Sequence, residues 1–175
     1  MAATPQPYRV APAAPDESIV YGACRPAHHR HTPPHDTVDD WLAFMDKQGI
    51  ERVCCLLDDE HLQFYTDLLG AYRDHFGESN VCHAPIQDFH AVDEPVLCET
   101  ILPFLEAADD VQAPTVVHCS AGSGRTGHVL VLWLACRRDY DLETALATVR
   151  ATGRQPLERV TRTELVTLYE ACQER

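Results

Sequence analysis

Short apolar runs alternate with amphipathic segments along most of the chain. Apolar runs rich in strand-forming side chains are typical of buried strands, whereas apolar residues that recur every three or four positions predict helices. The predicted strands are 18–24, 51–57, 80–86 and 113–119, and the predicted helices are 37–49, 60–76, 94–110, 124–139, 142–153 and 162–174. Because strands alternate with helices, the pattern predicts an α/β domain with a central, mainly parallel sheet of four to five strands flanked by helices.

Two local signals refine the predicted helices. Thr37 precedes Asp39 and Asp40, and a hydroxyl residue followed by acidic residues is typical of a helix N-cap and first turn. Pro103 lies inside a helical pattern, and proline has no backbone N–H, so a break or kink is expected there.

The two ends of the chain differ in composition. Residues 1–17 carry four prolines among alanines and show no periodic apolar pattern, which predicts a tail. Residues 18–175 are long enough for a single domain with a buried core. Since neither a signal segment nor a membrane-spanning run is recognisable, we expect a cytoplasmic protein.

The chain is strongly acidic, with 27 Asp and Glu against 14 Lys and Arg and a net charge of −13. The negative electrostatic field of such a chain repels nucleic acids and anionic membranes and so disfavours them as partners. The single lysine, Lys47, leaves two interpretations open: an ordinary acidic cytoplasmic protein, or a protein of a salt-loving organism in which salt screens the self-repulsion. The 8 cysteines form no CxxC pair and lie mostly in apolar stretches, so buried thiols are favoured over disulfides.

Two segments place an arginine six positions after a cysteine: CRPAHHR at 24–30 and CSAGSGR at 119–125. A phosphate loop needs successive inward N–H groups, usually from a glycine-rich turn at a helix N-terminus. The first segment has no glycine after its cysteine, Pro26 has no N–H, and the residues that follow cannot begin a helix at once. The histidines within 28–35 could bind a metal, although loosely spaced loop histidines are more often exposed.

The second segment meets each requirement. A predicted buried strand leads into it, Gly122 and Gly124 permit tight turning, and a long apolar helix begins directly afterwards. Arg125 can hold two phosphate oxygens with its planar guanidinium, and Cys119 lies where N–H dipoles and an arginine favour its thiolate.

The extended motif HCSAGSGRTG, residues 118–127, resembles the signature H-C-x-x-G-x-x-R-[ST]-G of the protein tyrosine phosphatase superfamily. The late position of the motif is similar to that in the small dual-specificity and atypical phosphatases, and the resemblance extends from about residue 18 to the C-terminus. It implies a cysteine-based phosphatase fold and a phosphomonoester hydrolase that needs no metal or cofactor.

The resemblance also implies a role for each motif residue. Cys119 would attack phosphorus and form a phosphocysteine intermediate, while Thr126 would hydrogen-bond its sulfur and His118 would order the loop. The substrate phosphate would be bound by Ser120, Ala121, Gly122, Ser123, Gly124 and Arg125.

A general acid is also implied, supplied by an aspartate from a loop after an earlier strand. Asp88 in the I-Q-D-F stretch is the first candidate and Asp93 is the reserve; either could instead cap a turn or a helix. Arg154 and Gln155, in a later loop, are candidates for positioning the hydrolytic water, although their match to the family is poor.

The expected substrate is phosphotyrosine in a phosphorylated protein, and a shallow pocket would also admit phosphoserine and phosphothreonine. The phosphoinositide phosphatases of this superfamily often carry lysines at the variable loop positions, and none is present here, which together with the net charge of −13 disfavours inositol lipids, polyphosphates and RNA 5′-triphosphate ends. A phosphate outside proteins, such as a nucleotide, an RNA 5′ end or an inositol phosphate, stays open as the alternative substrate class. Two alternatives stay open: a phosphate-binding module without turnover, and a redox protein that uses Cys119, although no second cysteine is near it in the sequence.

Overall fold

The computed structural model describes residues 6–174, and a five-stranded sheet forms its centre. The strands are β1 (Ala11–Pro12), β2 (Val20–Cys24), β3 (Arg52–Cys55), β4 (Val81–His83) and β5 (Thr115–Cys119). They are arranged in the order β1-β2-β5-β3-β4, with β1 antiparallel to β2 and the remaining pairs parallel. The prediction of an α/β fold with a mainly parallel central sheet is confirmed.

Helices cover both faces of the sheet. They are α1 (His35–Lys47), α2 (Asp59–Leu62), α3 (Leu68–Phe76), α4 (Glu94–Val96), α5 (Leu102–Asp110), α6 (Gly124–Arg137), α7 (Leu142–Ala151) and α8 (Arg162–Gln173). Apolar side chains of α4 to α8 form one core cluster, and those of α1 and α3 form a second. The sheet is therefore buried on both sides, which explains why its parallel strands read as continuous apolar runs.

Strand β5 and helix α6 lie at the centre of the molecule. Every residue of β5 is buried between β2 and β3, and nearly every residue of α6 is buried as well. A helix that is apolar all round is typical of a core position. Within residues 6–174, no helix is long and apolar enough to cross a membrane. The turn from β5 into α6 thus lies at the carboxyl edge of the parallel strands, where ligands bind in open α/β sheets.

Helix α1 begins earlier than predicted. It starts at His35 after the extended residue Pro34, and Thr37 lies within the first turn. The Thr37 hydroxyl donates to the Pro34 carbonyl at 2.6 Å. The prediction of Thr37 as the N-cap is therefore wrong, because its side chain bonds backward to a carbonyl and leaves the first N–H groups of the helix uncapped.

The predicted helix over 60–76 is in fact two helices. Asp67 lies between α2 and α3, and its carboxylate accepts the Gly70 N–H at 3.0 Å, which starts a new helix. At Pro103 the expected irregularity takes the form of a π-helical stretch, Leu97–Ile101, that joins α4 to α5. A proline N atom cannot donate to the preceding turn, so the ladder widens ahead of it.

Residues 10–17 pack against the domain, contrary to the expectation of a tail. Ala13 and Ala14 are fully buried, and the Glu17 carboxylate accepts the backbone N–H groups of residues 19 and 20. Small side chains allow this segment to lie close to the sheet, where it contributes the edge strand β1. Residues 1–5 lie outside the described residues. We propose that the folded domain includes residues 10–17 and does not start at residue 18.

Candidate functional site

The CSAGSGR motif forms the floor of a pocket at the carboxyl edge of the sheet. Cys119 is the last residue of β5, and Arg125 lies in the first turn of α6. Both are almost fully buried, at 2% and 5% exposed. The pocket has a volume of about 160 Å³, and its walls are residues 88–90 on one side and 158–160 on the other.

Gly122 makes the tight turn of this loop possible. Its φ is +71°, and a Cβ at this position would lie 2.6 Å from the carbonyl carbon and oxygen of Ala23 in β2. Only glycine combines this backbone conformation with so close an approach. The loop is thus pressed against the neighbouring strand.

The Arg125 guanidinium reaches across the pocket to the segment that follows β4. Its Nη1 donates to the Ile86 carbonyl at 2.9 Å, and its Nη2 lies 3.4 Å from Asp88 Oδ1. Asp88 therefore lies at the same pocket as Cys119 and Arg125. Asp93 precedes α4 without a side-chain capping bond and does not line the pocket.

Two residues at this site were not predicted from the sequence. The Asp58 carboxylate accepts the Asp88 N–H at 3.1 Å through Oδ2, and through Oδ1 it contacts the N–H and Nδ1 of His61 at 3.3 and 3.2 Å. Burial by itself raises the pKa of Asp58, but these hydrogen bonds and the charge of Arg125 lower it overall. The sequence held no signal for Asp58 at this site, because only the tertiary structure places β3, which Asp58 follows, beside β5.

The His61 ring lies between the two carboxylates. Its Nδ1 contacts Asp58 Oδ1, and its Nε2 lies 3.9 Å from Asp88 Oδ2. A carboxylate can only accept, so Nδ1 carries the hydrogen, and the approach of Arg125 Nη2 to Nδ1 at 3.5 Å is a contact without a hydrogen bond.

His118 is buried behind the loop and held in one tautomer. Its Nδ1 lies 3.0 Å from the Cys119 carbonyl, which can only accept, so Nδ1 donates and Nε2 accepts the Tyr72 hydroxyl at 2.9 Å. Burial lowers the pKa of His118 to about 4. Among the described residues the buried hydroxyl of Thr126 has no hydrogen-bond partner, so the predicted bond to the Cys119 sulfur is absent.

The later loop contributes a different polar residue from those predicted. Arg154 is 1% exposed and donates to the Gly122 carbonyl at 2.7 Å, outside the pocket. Gln155 contributes its backbone N–H to Ser123 Oγ, and it does not line the pocket either. Glu158 does line it, and its Oε2 lies 3.2 Å from the position a Cβ of Gly124 would take.

The CRPAHHR segment supports the CSAGSGR loop. Buried Arg25 donates to Ser120 Oγ through Nε and to the Ser120 carbonyl through its backbone N–H, both at 3.0 Å. Cys24 pairs in register with Cys119 across β2 and β5. Burial raises the pKa of Cys24 to about 11. A second thiol is therefore near Cys119 in space, although none is near it in the sequence.

Several solved structures resemble nearly all of this chain. Tk-PTP in its active form is 27% identical and aligns with a TM-score of 0.68 over 91% of this chain and 94% of that chain. PTPMT1 in complex with PI(5)P is 11% identical, with a TM-score of 0.71 over 94% and 95% of the two chains. TpbA of P. aeruginosa in complex with pTyr is 16% identical, with a TM-score of 0.59 over 98% and 100%. The latter two likenesses show the fold alone.

Comparisons of sequence give the family. No curated protein matches the chain. The family described as "Polymorphic toxin system, DSP-PTPase phosphatase" matches residues 32–138, which include β3, β4, β5 and most of the pocket. This match covers more than half of the chain, and the fold and the cysteine–arginine loop agree with it. The chain therefore belongs to this family of DSP-PTPase phosphatases.

Proposed function

We propose that this phosphatase hydrolyses phosphotyrosine in proteins, and phosphoserine and phosphothreonine more slowly, through a phosphocysteine intermediate on Cys119. One observation carries the proposal: Cys119, Arg125 and Asp88 line the same pocket. Residues 88–90, the loop that contains Cys119 and Arg125, and residues 158–160 are distant from one another in the chain, and the fold brings them together there.

The first step transfers the phosphoryl group to the protein. The Cys119 thiolate attacks phosphorus, the ester P–O bond breaks, and the leaving oxygen takes a proton from Asp88. Arg125 and the amides of residues 120–125 stabilise the equatorial oxygens as charge develops on them. In the structure Arg125 Nη2 lies 3.4 Å from Asp88 Oδ1, so an arriving phosphate replaces this carboxylate on the guanidinium.

The second step releases inorganic phosphate. A water molecule attacks the phosphocysteine, Asp88 accepts a proton from that water, and the Cys119 thiolate leaves. We assign Glu158 to the positioning of this water, in place of Arg154 and Gln155. Glu158 and Arg159 are the polar residues of that loop which line the pocket, and of these two only the Glu158 carboxylate can accept a hydrogen bond from the water. His118 stays neutral and holds the loop, since its low pKa of about 4 and its two hydrogen bonds remove it from proton transfer.

The rim of the pocket favours an aryl phosphate. Phe89 is 60% exposed, and the Arg159 guanidinium lies 4.6 Å from the centre of its ring. An exposed ring at the mouth offers a stacking surface to the phenyl group of phosphotyrosine. Phenolate is also a better leaving group than the alkoxide of serine or threonine.

A phosphate outside proteins, such as an inositol phosphate, a nucleotide or an RNA 5′ end, is the alternative substrate class. The neighbours are described in complex both with pTyr and with PI(5)P. In this chain the Glu158 carboxylate lines the pocket, no lysine lies in the loop, and the net charge is −13. Each of these features opposes a ligand that carries several phosphates, so we favour phosphotyrosine.

The proposal is tested with aryl phosphates in the presence of EDTA. We expect turnover that vanadate inhibits and that Cys119→Ser abolishes. Wild-type protein that turns over no faster than Cys119→Ser would refute the proposed catalysis by Cys119. A panel of phosphopeptides and small phosphates, assayed at low and at molar salt, then assigns the substrate class and the salt requirement together.

The role of Asp88 has its own test. Asp88→Asn should slow the first step most for phosphates with poor leaving groups, because these need the proton most. The matched variant is Asp93→Asn, which changes an aspartate that does not line the pocket. An equal effect of Asp88→Asn on good and poor leaving groups would contradict its assignment as the acid.

A further inference from the structure

Every backbone carbonyl of residues 119–123 accepts a hydrogen bond from a donor that does not line the pocket. The donors are His118 Nδ1 to Cys119 at 3.0 Å, Arg25 N to Ser120 at 3.0 Å, Arg9 Nη1 to Ala121 at 3.3 Å, Arg154 Nη1 to Gly122 at 2.7 Å and Gly127 N to Ser123 at 2.8 Å. The carbonyl groups are therefore directed away from the phosphate site.

This arrangement decides where the loop amides point. In a planar trans peptide the C=O of one residue and the N–H of the next residue point in opposite directions. Carbonyls held outward over 119–123 therefore place the N–H groups of residues 120–124 toward the pocket. Successive inward N–H groups form an anion-binding nest. The outer donors thus maintain the nest before any phosphate arrives.

Arg154 is the most deeply buried of the arginines in this outer layer. Its Nη1 donates to the Gly122 carbonyl, and its Nη2 donates to the Arg9 carbonyl at 2.9 Å. Arg9 in turn donates to the preceding carbonyl of the loop, that of Ala121, so the Arg154 guanidinium links the N-terminal segment to the loop. Burial lowers the pKa of Arg154 to about 10, so it remains protonated near neutral pH.

Strand β2 leaves room for the Arg154 guanidinium because it carries a glycine at position 22. Gly22 in β2 lies against it, and a Cβ on Gly22 would approach the Arg154 guanidinium carbon to 2.7 Å. The obstructing atoms are the end of a flexible side chain, so Gly22→Ala displaces the guanidinium while it keeps the charge in the protein.

We propose that Arg154 is a positioning residue of the phosphatase: it holds the Gly122 carbonyl away from the pocket and thereby keeps the amides of the loop aimed at the substrate phosphate. This inference rests on the proposed function of the same loop. It assigns to Arg154 a role outside the pocket, which is distinct from the water-positioning role expected from its place in the sequence.

The experiment measures the binding of inorganic phosphate, so that it does not depend on turnover. Protection of Cys119 from alkylation by iodoacetamide gives the Kd for phosphate and the pH profile of Cys119 reactivity. The variants are Arg154→Met, Arg154→Lys and Gly22→Ala, with Arg150→Met, on the exposed surface of α7, as the control.

We expect Arg154→Met to weaken phosphate binding by about tenfold to a hundredfold, because one charged donor to a buried carbonyl is lost. Arg154→Lys should recover part of this loss, since an ammonium group can serve one of the two carbonyls. Gly22→Ala should resemble Arg154→Met and should have no further effect in the Arg154→Met background. The alkylation midpoint of Cys119 should move to higher pH in the same order.

A purely structural role gives a different result. If Arg154→Met lowers the melting temperature while its phosphate Kd and alkylation profile stay within about twofold of Arg150→Met, the inference is wrong. If Arg154→Met does not fold, the phosphate Kd and the alkylation profile of Gly22→Ala and Arg154→Lys are compared with those of Arg150→Met in the same way, and values within about twofold again contradict the inference. Wild-type protein that binds phosphate without turnover would refute the proposed function alone, and turnover with unchanged binding in all three variants would refute this inference alone.

Discussion

Two glycines with nearly the same positive φ allow the effect of the packing of the phosphate loop on stability to be measured. Gly122 and Gly49 have φ of +71° and +76°, a region that alanine enters at a cost of about 1–2 kcal/mol. A Cβ on Gly49 would meet nothing within 4 Å, whereas a Cβ on Gly122 would lie 2.6 Å from the Ala23 carbonyl and 2.8 Å from the Cys24 nitrogen. The backbone of β2 cannot rotate away, so Gly122→Ala adds an overpacking cost of about 1–3 kcal/mol.

We therefore expect Gly49→Ala to lower the free energy of unfolding by about 1–2 kcal/mol and Gly122→Ala to lower it by about 2–5 kcal/mol. Urea denaturation gives both values, and unchanged m-values would show that the denatured state is unaffected. Gly49→Ala should keep its aryl phosphatase activity, whereas Gly122→Ala should lose most of it, because the loop must move away from β2. Equal destabilisation of the two variants, with activity retained in Gly122→Ala, would refute the reasoning.

Three further predictions concern side chains around the loop. Asp58→Ala should slow the first step by roughly tenfold or more for poor leaving groups, because the Asp88 N–H loses its acceptor and the proposed acid is no longer held in place. The control Asp67→Ala, which removes the N-cap of α3, should not slow it. Histidine in the unfolded chain has a pKa near 6.5, but burial lowers the pKa of His118 and of His128 to about 4. The free energy of unfolding should therefore fall by about 2 kcal/mol per histidine between pH 7 and pH 5, because only the unfolded chain takes up the proton, and replacement of either histidine by asparagine should reduce this pH dependence in urea titrations. Peroxide should oxidise the loop thiolate to a sulfenic acid, which the adjacent Cys24 thiol converts to a disulfide with release of water. Without Cys24 a second peroxide oxidises the sulfenic acid to a sulfinic acid, which thiols do not reduce, so dithiothreitol should restore activity to the wild-type protein after excess peroxide but not to Cys24→Ser.

The sequence was most informative where a local pattern has one physical solution. Apolar runs rich in strand-forming residues predicted the four parallel strands, and the strongly apolar pattern of 124–139 predicted the central helix. The boundaries that were wrong depend on local competition between side chain and backbone. Thr37 bonded backward to Pro34, and Asp67 captured an N–H that would otherwise have continued a helix.

In the candidate site, too, residues that are contiguous in the chain could be predicted, whereas residues from distant segments could not. The loop at 119–125 could be predicted because its glycines, its arginine and its flanking strand and helix are contiguous in the chain. Asp58 and His61 could not, because only the order of strands β5, β3 and β4 brings their segment beside the loop.

Arg154 shows most clearly the difference between the place expected from the sequence and the place found in the structure. Its position in the chain marked it as a pocket residue, but the tertiary structure places it behind the loop, where it bonds to the Gly122 carbonyl. By itself the sequence determined the family, the strand–loop–helix and its chemistry, because these follow from residues that are neighbours along the chain. The tertiary structure alone decided which distant side chains hold that loop, because the hydrogen bonds to its carbonyls come from residues up to 112 positions away in the chain.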